Sequence, residues 1–318
     1  MSESTVIQQI LAVLGTRPGV RVGIGDDAAV LDGDPLLLVA HDMFIEDVHF
    51  RWTTHSFADV GHAALAVNLS DIAAMGGEPV AALVGLASPS GIFGPAEIRE
   101  MYTAMEHLAG ETGCSIIGGD ISRAKETVVG VTIIGRMPAG VLPVVRSGAQ
   151  PGQLVCVTGP LGASAAGRLV LDDPPARPGP VDARLMAAHK RPRPRLAAGC
   201  ALARAGVSAM MDISDGLCLD AARMARASGV RLTIDLDRVP IADGVASVAA
   251  DAGIDVAVFA STGGEDYELL VTIDPGQIET TGVALIPVGT VSAGELGVAT
   301  LRHGRPIQLD RLGWDHVG

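Results

Sequence analysis

The sequence predicts a protein of mixed α and β structure built as two domains. Three observations lead there. The chain has 318 residues and is 48% hydrophobic, enough to bury a large core and, by length, to divide in two. From about residue 20 to 137, short apolar runs suited to strands alternate with patterns of helical period. The segment MPAGVLPVVRSGAQPG (137–152) then breaks all periodicity with its prolines and glycines, and the alternation resumes beyond it.

In chain order, MSESTVIQQILAVLG predicts an opening helix, with Thr5 and Gln8 as a capping box and Gly15 at its end. Its start is polar and acidic, without the basic region of a signal peptide. LLLVA (36–40) predicts a strand, followed by helices over about 57–75 and 95–109 and by strands at SII and VVGVTIIG. The expected domains are residues 1–140 and 150–318. The second opens with the strand LVCVT (154–158) and the Gly-rich turn GPLGASAAG (159–167), which lacks dinucleotide-binding spacing and reads as a packing turn. A Pro- and Arg-rich loop (174–195) follows, then more alternation.

Composition excludes several functions. A formal net charge of −13 disfavours nucleic acid and anionic membrane surfaces, which need clustered Lys and Arg. The two lysines, Lys125 and Lys190, fall outside any Walker motif, so a nucleotide's phosphates must be held in another way. There is no run of 18 apolar residues. Cys114, Cys156, Cys200 and Cys218 form no C-x-x-C pair and read as core residues. A cytoplasmic protein is expected.

The candidate site rests on acids. Asp42, Asp120 and Asp212 each follow an apolar run, as if each strand delivered a carboxylate at its C-terminal end; a turn or helix cap is the alternative for any one of them. Asp71 continues the series Val60, Ala64 and Val67, which sets a carboxylate on the apolar face of a helix. Such a group must be protonated, paired or metal-bound. With the pairs Asp26–Asp27 and Asp212–Asp215, seven acids stand in motif-like settings. Two carboxylates ~4 Å apart repel by roughly 4 kcal/mol at an effective dielectric of ~20, so their convergence needs cations. All-oxygen ligands suit Mg²⁺, with a structural Ca²⁺ as the alternative. Gly118 and Gly119 permit close backbone approach, by a phosphate or in a tight turn, and Ser214 opens a helix whose N-terminus suits an anion or a simple cap.

Taken together, GIGDDAAVL (23–31), HDMFIEDVHF (41–50), AVNLSDIAAMGGEP (66–79), IIGGDISR (116–123), RSGAQPG (146–152), DISDGL (212–217) and GGEDYELL (263–270) closely resemble the thiamine-monophosphate kinases. These are similar in turn to aminoimidazole ribonucleotide synthetase. The resemblance implies an aminoimidazole ribonucleotide synthetase-like α+β architecture. In it the first domain binds ATP and metal and pairs across a homodimer into a β-barrel, and the second completes the site. It implies ATP-dependent phosphorylation of thiamine monophosphate to the diphosphate, by direct in-line transfer with several Mg²⁺ ions.

By motif, Asp27, Asp42, Asp71, Asp120, Asp212 and Asp215 are implied as metal ligands. Gly119, Asp120, Arg146 and Ser214 are implied at ATP, and His49, Glu265 and Trp314 at thiamine monophosphate. Asp42, Asp120, Arg146 and Asp212 are implied in catalysis. Ala40 and His41 occupy metal-site positions where the family usually carries Ser or Thr. A backbone carbonyl there remains available, and strand alternation aims His41 away from the face of Asp42. Turned inward, its imidazole would suit Mn²⁺ or Zn²⁺. The alternatives are an aminoimidazole ribonucleotide synthetase-like enzyme and an inactive nucleotide- or metal-binding dimer.

Overall fold

The computed structural model describes residues 18–315, so the expected opening helix with Thr5, Gln8 and Gly15 lies outside the described residues. The first domain comprises β1 (Val20–Val22), β2 (Ala29–Leu31), β3 (Leu37–Ile45), α1 (Phe57–Ala74), β4 (Glu78–Ser88), α2 (Pro95–Thr112), β5 (Ser115–Arg123) and β6 (Val128–Arg136). Its six strands run in the order β1-β2-β3-β6-β4-β5, an open sheet that closes no barrel among the described residues. β6 alternates strictly and β3 does so except at Asp42: Leu38, Ala40 and Phe44 on β3, and Val129, Val131 and Ile133 on β6, are buried under the helices. The opposite face carries Leu37, Met43 and Leu83 in the open.

α1 is the central pillar. Ser56 and Asp59 form a reciprocal capping box at its start. Small residues then let neighbours approach closely: a methyl group on Gly61 would collide with the Met101 carbonyl of α2. Its far side packs on the second domain, so the helix is buried almost all round rather than along one stripe.

The second domain is built on a mainly antiparallel sheet of seven strands. These are β7 (Leu154–Val157), β8 (Ala209–Asp212), β9 (Arg231–Asp235), β10 (Leu269–Ile273), β11 (Ile286–Ser292), β12 (Gly297–Arg302) and β13 (Arg305–Ile307), in the order β13-β12-β9-β11-β7-β10-β8. The helices are α3 (Ala163–Asp172), α4 (Pro180–Lys190), α5 (Leu196–Ala205), α6 (Leu217–Ser228), α7 (Val245–Asp251) and α8 (Val256–Thr262). β8 and β10 are buried along their whole length. The four cysteines are buried and free. No single helix among the described residues is long and apolar enough to cross a membrane.

The irregular 137–152 segment is docked rather than slack. Val144 is buried and its N–H bonds to the Met75 carbonyl at 3.2 Å, which ties the segment to the end of α1. Gly199 of α5 meets the Ala73 backbone of α1 with no room for a side chain, whereas Gly110 of α2 faces open space in ordinary helical geometry. Gly199→Ala should therefore destabilise the protein by about 1–3 kcal/mol through overpacking, and Gly110→Ala should stabilise it by roughly 0.5–1 kcal/mol. Urea unfolding midpoints of the two variants, moving in opposite directions, check this.

A candidate active site between the two domains

A cleft of about 740 Å³ runs between the domains, and acids from four separate elements meet in it. Asp27 follows β1, Asp42 lies in β3, Asp71 is one turn from the end of α1, and Asp212 ends β8. Carboxylate oxygens of Asp27, Asp71 and Asp212 lie within 4.8 Å of one another. Burial, then the charges of Asp42, Asp212 and Asp27, push the pKa of Asp71 well above the ordinary carboxylate range. Asp212 is driven the same way by burial and Asp27, although Ser70 donates to it at 2.6 Å. Burial and Asp27 raise Asp26 to about 6.

One guanidinium holds the near side. Arg146, in the docked segment, donates from Nε and Nη2 to the two oxygens of Asp27 at 3.1 and 2.6 Å, a fork-to-fork pair, and its backbone N–H reaches Asp26 at 3.1 Å. Arg168 and Arg223 also line the cleft, but carboxylates outnumber the three arginines, so the pocket stays net negative, and Asp27, Asp71 and Asp212 offer oxygen donors alone. That donor set fits Mg²⁺ well.

The far wall is a stack of three backbone segments. Gly216 and Gly264 adopt φ of +121° and +74°, and a side chain on Gly264 would press on the Ser214 carbonyl. Glu265 and Tyr267 also have positive φ, 58° and 51°, held because their N–H groups bond to the Ser214 and Ile213 carbonyls at 2.6 and 2.9 Å. The Trp314 N–H bonds to the Asp215 carbonyl at 3.0 Å, which brings the C-terminal GWD to the cleft. Asp220, in the first turn of α6, accepts from the N–H groups of Asp215 and Gly216, both at 3.1 Å, and burial raises its pKa to about 7. Arg223 bridges Asp220, at 2.9 Å, and Asp215.

The three acids of GGEDYE serve three different purposes. Glu265 lines the cleft; burial works to raise its pKa, yet hydrogen bonding and charge from His189 and the charges of His49 and Arg168 lower it. Asp266 turns to the start of α3 and accepts from the Gly162 N–H at 2.9 Å. Glu268, buried, binds Arg195 and accepts from Thr158 at 2.6 Å. Gly159 abuts that carboxylate, and a methyl group there would collide with it, so the first glycine of the Gly-rich turn serves packing.

Of the residues expected from the sequence, Asp27, His41, Asp42, Asp71, Arg146, Asp212, Ser214, Asp215, His49, Glu265 and Trp314 line this one cleft. His49 accepts from the Ile45 N–H at 3.0 Å through Nδ1 and stacks on Phe44. Gly119 and Asp120 lie elsewhere, on the edge strand β5, where Asp120 is exposed and accepts from Ser122 at 3.1 Å. The missing side chain of Gly119 is explained by the Val84 carbonyl of β4, which a methyl group would strike. Ala40 is a core residue. His41 reaches Thr132, its cross-strand partner on the open sheet face, at 2.9 Å, so alternation takes its ring to the side opposite Asp42. Sequence reasoning missed Arg168, Arg223 and Tyr267 in the cleft and Ser70 behind it; the i,i+3 pair Asp220–Arg223 after DISDG was the one local signal available.

The fold and the acid-lined cleft define an AIR synthase related protein: the model of that group's N-terminal domain matches residues 25–137 and that of its C-terminal domain residues 150–288. The thiamine-monophosphate kinase of Mycobacterium tuberculosis is 38% identical over 275 residues, 85% of this chain and 80% of that protein. The chain belongs to the thiamine-monophosphate kinase family. Among solved structures, a ThiL complexed with AMPPCP and TMP is 30% identical, with a TM-score of 0.89 over 99% of this chain and 97% of that one. The thiamine monophosphate kinase of Aquifex aeolicus is 29% identical, with a TM-score of 0.83 over 96% of this chain and 99% of that one.

Because the pKa of Asp71 in the folded protein lies above its ordinary value of 3.8, the folded state holds a proton that the unfolded chain has released, and stability falls as pH rises above 3.8. Asp71→Asn removes that loss. With EDTA present, the variant should be more stable than the unaltered protein at pH 7.5 by at least ~1.4 kcal/mol, the worth of one pKa unit. The gain should vanish below pH 3.8; denaturant titrations at several pH values measure it.

Proposed function

We propose that the protein transfers the γ-phosphoryl group of ATP to thiamine monophosphate, giving thiamine diphosphate and ADP. The observation that carries this is the convergence of Asp27, Asp71 and Asp212 in a cleft that Glu265 and Trp314 also line. Family membership and the AMPPCP and TMP of the similar ThiL complex support the choice of substrates. The phosphate of thiamine monophosphate is already an anionic nucleophile and needs little help from a base. A phosphate oxygen attacks the γ-phosphorus in line and ADP leaves from the opposite side, so catalysis reduces to positioning and charge compensation.

Residues 1–140 bind ATP and metal in this reading, and residues 150–318 complete the site. Asp27, Asp42, Asp71, Asp212 and Asp215 would hold Mg²⁺, which supplies charge neutralisation for two approaching polyanions. Ala40 and His41 could contribute only backbone carbonyls. Arg146 and Asp26–Asp27 form one unit, so Arg146 holds those carboxylates in place, through its guanidinium and its backbone N–H, while adding positive charge beside the phosphates. Ser214 receives a nucleotide phosphate; Glu265, His49 and Trp314 receive the thiamine moiety, a cation that suits a carboxylate and an aromatic face. The reaction belongs in the cytoplasm, where ATP is supplied.

The protein acts as a homodimer in the same reading. The open face with Leu37, Met43 and Leu83 and the exposed Ile117 and Ile121 of β5 are an apolar surface on a sheet edge, which an intersubunit barrel would cover. Such pairing also gives Gly119 and Asp120 a route to an ATP site that they do not reach within one chain.

Incubation with ATP, Mg²⁺ and thiamine monophosphate should give thiamine diphosphate, with free thiamine turned over at least ~100-fold less efficiently because it lacks the nucleophilic phosphate. Chromatography of the products decides it, and equal turnover of free thiamine would refute the reading. Light scattering at micromolar concentration should give twice the chain mass of 32.4 kDa; a monomer mass would refute the dimer.

A further inference from the structure

We propose that His189 is a positioning residue for thiamine monophosphate, fixing the Glu265 carboxylate in the orientation that receives the substrate while staying out of the pocket itself. The assignment rests on the kinase reading above. His189 is the penultimate residue of α4, and its side chain is 6% exposed against 31% for that of Glu265, so the acid faces the cleft and the imidazole stands behind it. Nδ1 lies 3.1 Å from Glu265 Oε2. An ionised carboxylate can only accept, so this nitrogen carries the proton and donates. Ser164 Oγ, in the first turn of α3, lies 3.1 Å from the same nitrogen and 3.4 Å from the same carboxylate oxygen. Both contacts fall on Oε2, and Oε1 is the oxygen left to the cleft.

The main chain of Glu265 is fixed independently, by its left-handed φ of 58° and its 2.6 Å bond to Ser214. With the backbone and one carboxylate oxygen both held, the second oxygen is pre-oriented at little entropic cost on binding. The imidazole is itself anchored. The next two residues, Lys190 and Arg191, grip Asp59 of α1 from 2.6 and 2.7 Å, and the Pro192 carbonyl meets His62 at 2.9 Å. The His55 ring stands edge-on to His189, 5.4 Å between centroids. The tilt of a pocket carboxylate in one domain is thus set by a side chain at the point where that domain is tied to the other. Glu265 meets a part of the substrate that does not react, so loosening it weakens binding of thiamine monophosphate and leaves phosphoryl transfer nearly as fast.

The test compares His189→Leu, His189→Asn, Glu265→Gln and the Leu–Gln double variant. In His189→Leu the KM for thiamine monophosphate should rise roughly tenfold, the effect of losing a charge-assisted hydrogen bond, with kcat and the KM for ATP within about twofold of the unaltered protein. His189→Asn places an amide N–H where Nδ1 stood and should stay within about threefold. On the Glu265→Gln background, His189→Leu should add little, because the two act as one unit. Full multiplication of the two effects, a fall in kcat that also carries the KM for ATP, or an Asn variant as impaired as the Leu variant would overturn the assignment. Absence of thiamine diphosphate from the unaltered protein would instead overturn the kinase reading, and this assignment with it.

Discussion

The fork between Arg146 and Asp27 is the interaction on which the arrangement turns. Carboxylates from a loop, two strands and a helix are brought from two domains into one pocket, and at these separations each pair costs on the order of a few kcal/mol. Local contacts oppose the repulsion, among them one guanidinium gripping Asp27, a backbone N–H on Asp26, the Ser70 hydroxyl on Asp212 and Arg223 on Asp215. Arg146 comes from the segment between the domains, so the chain that joins them also neutralises their meeting point. Burial, and after it the remaining charge, raise the pKa values of Asp71 and Asp212, a store of unfavourable energy that a bound divalent ion would release.

Such a pocket needs a rigid frame, and α1 supplies it. A helix buried on nearly every side cannot turn to relieve the strain at Asp71, and the β3 strand beside it is fixed to it where Asn68 accepts from the Asp42 N–H at 2.9 Å. The second domain answers with β8 and β10, both wholly buried, so that Asp212 projects from a strand with no freedom to shift. Positioning has its structural counterpart here: Asp71 stands on a helix, Asp42 and Asp212 on strands, and Asp27, on a loop, is held by Arg146.

Much of this was legible in the sequence because its signals are local. The helical period that placed Asp71 with Val60, Ala64 and Val67 is the helix observed, Phe57–Ala74, and the second expected helix runs on to Thr112, where Gly113 takes the left-handed cap. Alternation along β3 put His41 and Asp42 on opposite faces, as found. What stayed hidden was long-range. Strand order in either sheet has no signature in sequence, and neither does the all-round burial of α1, since its polar-face positions are covered by a domain more than a hundred residues away. Gly119 illustrates a subtler failure: a glycine before an acid suggests room for phosphate, while the backbone explains it by the nearness of Val84. Arg168 and Arg223 were missed because an arginine on a helix flank looks like any solvated one until the fold brings it to the cleft.

The hexapeptide from Gly263 to Glu268 sends successive acids to the cleft, to the start of α3 and to Arg195. Its backbone reverses hand at Gly264, Glu265 and Tyr267 to do so. Such a segment has no slack in length. Slipping it by one residue would aim the helix cap into the cleft and leave Arg195 facing an aromatic ring, so insertions and deletions are forbidden here for three independent reasons at once. Residues 174–179, the connector that forms the part of the expected Pro- and Arg-rich loop before α4, carry no comparable burden, whereas Pro180–Lys190 of that expected loop is helical. Change in this protein over evolutionary time is therefore channelled: length varies cheaply in the connector, whereas the acidic turn can vary only by exchanging side chains in place.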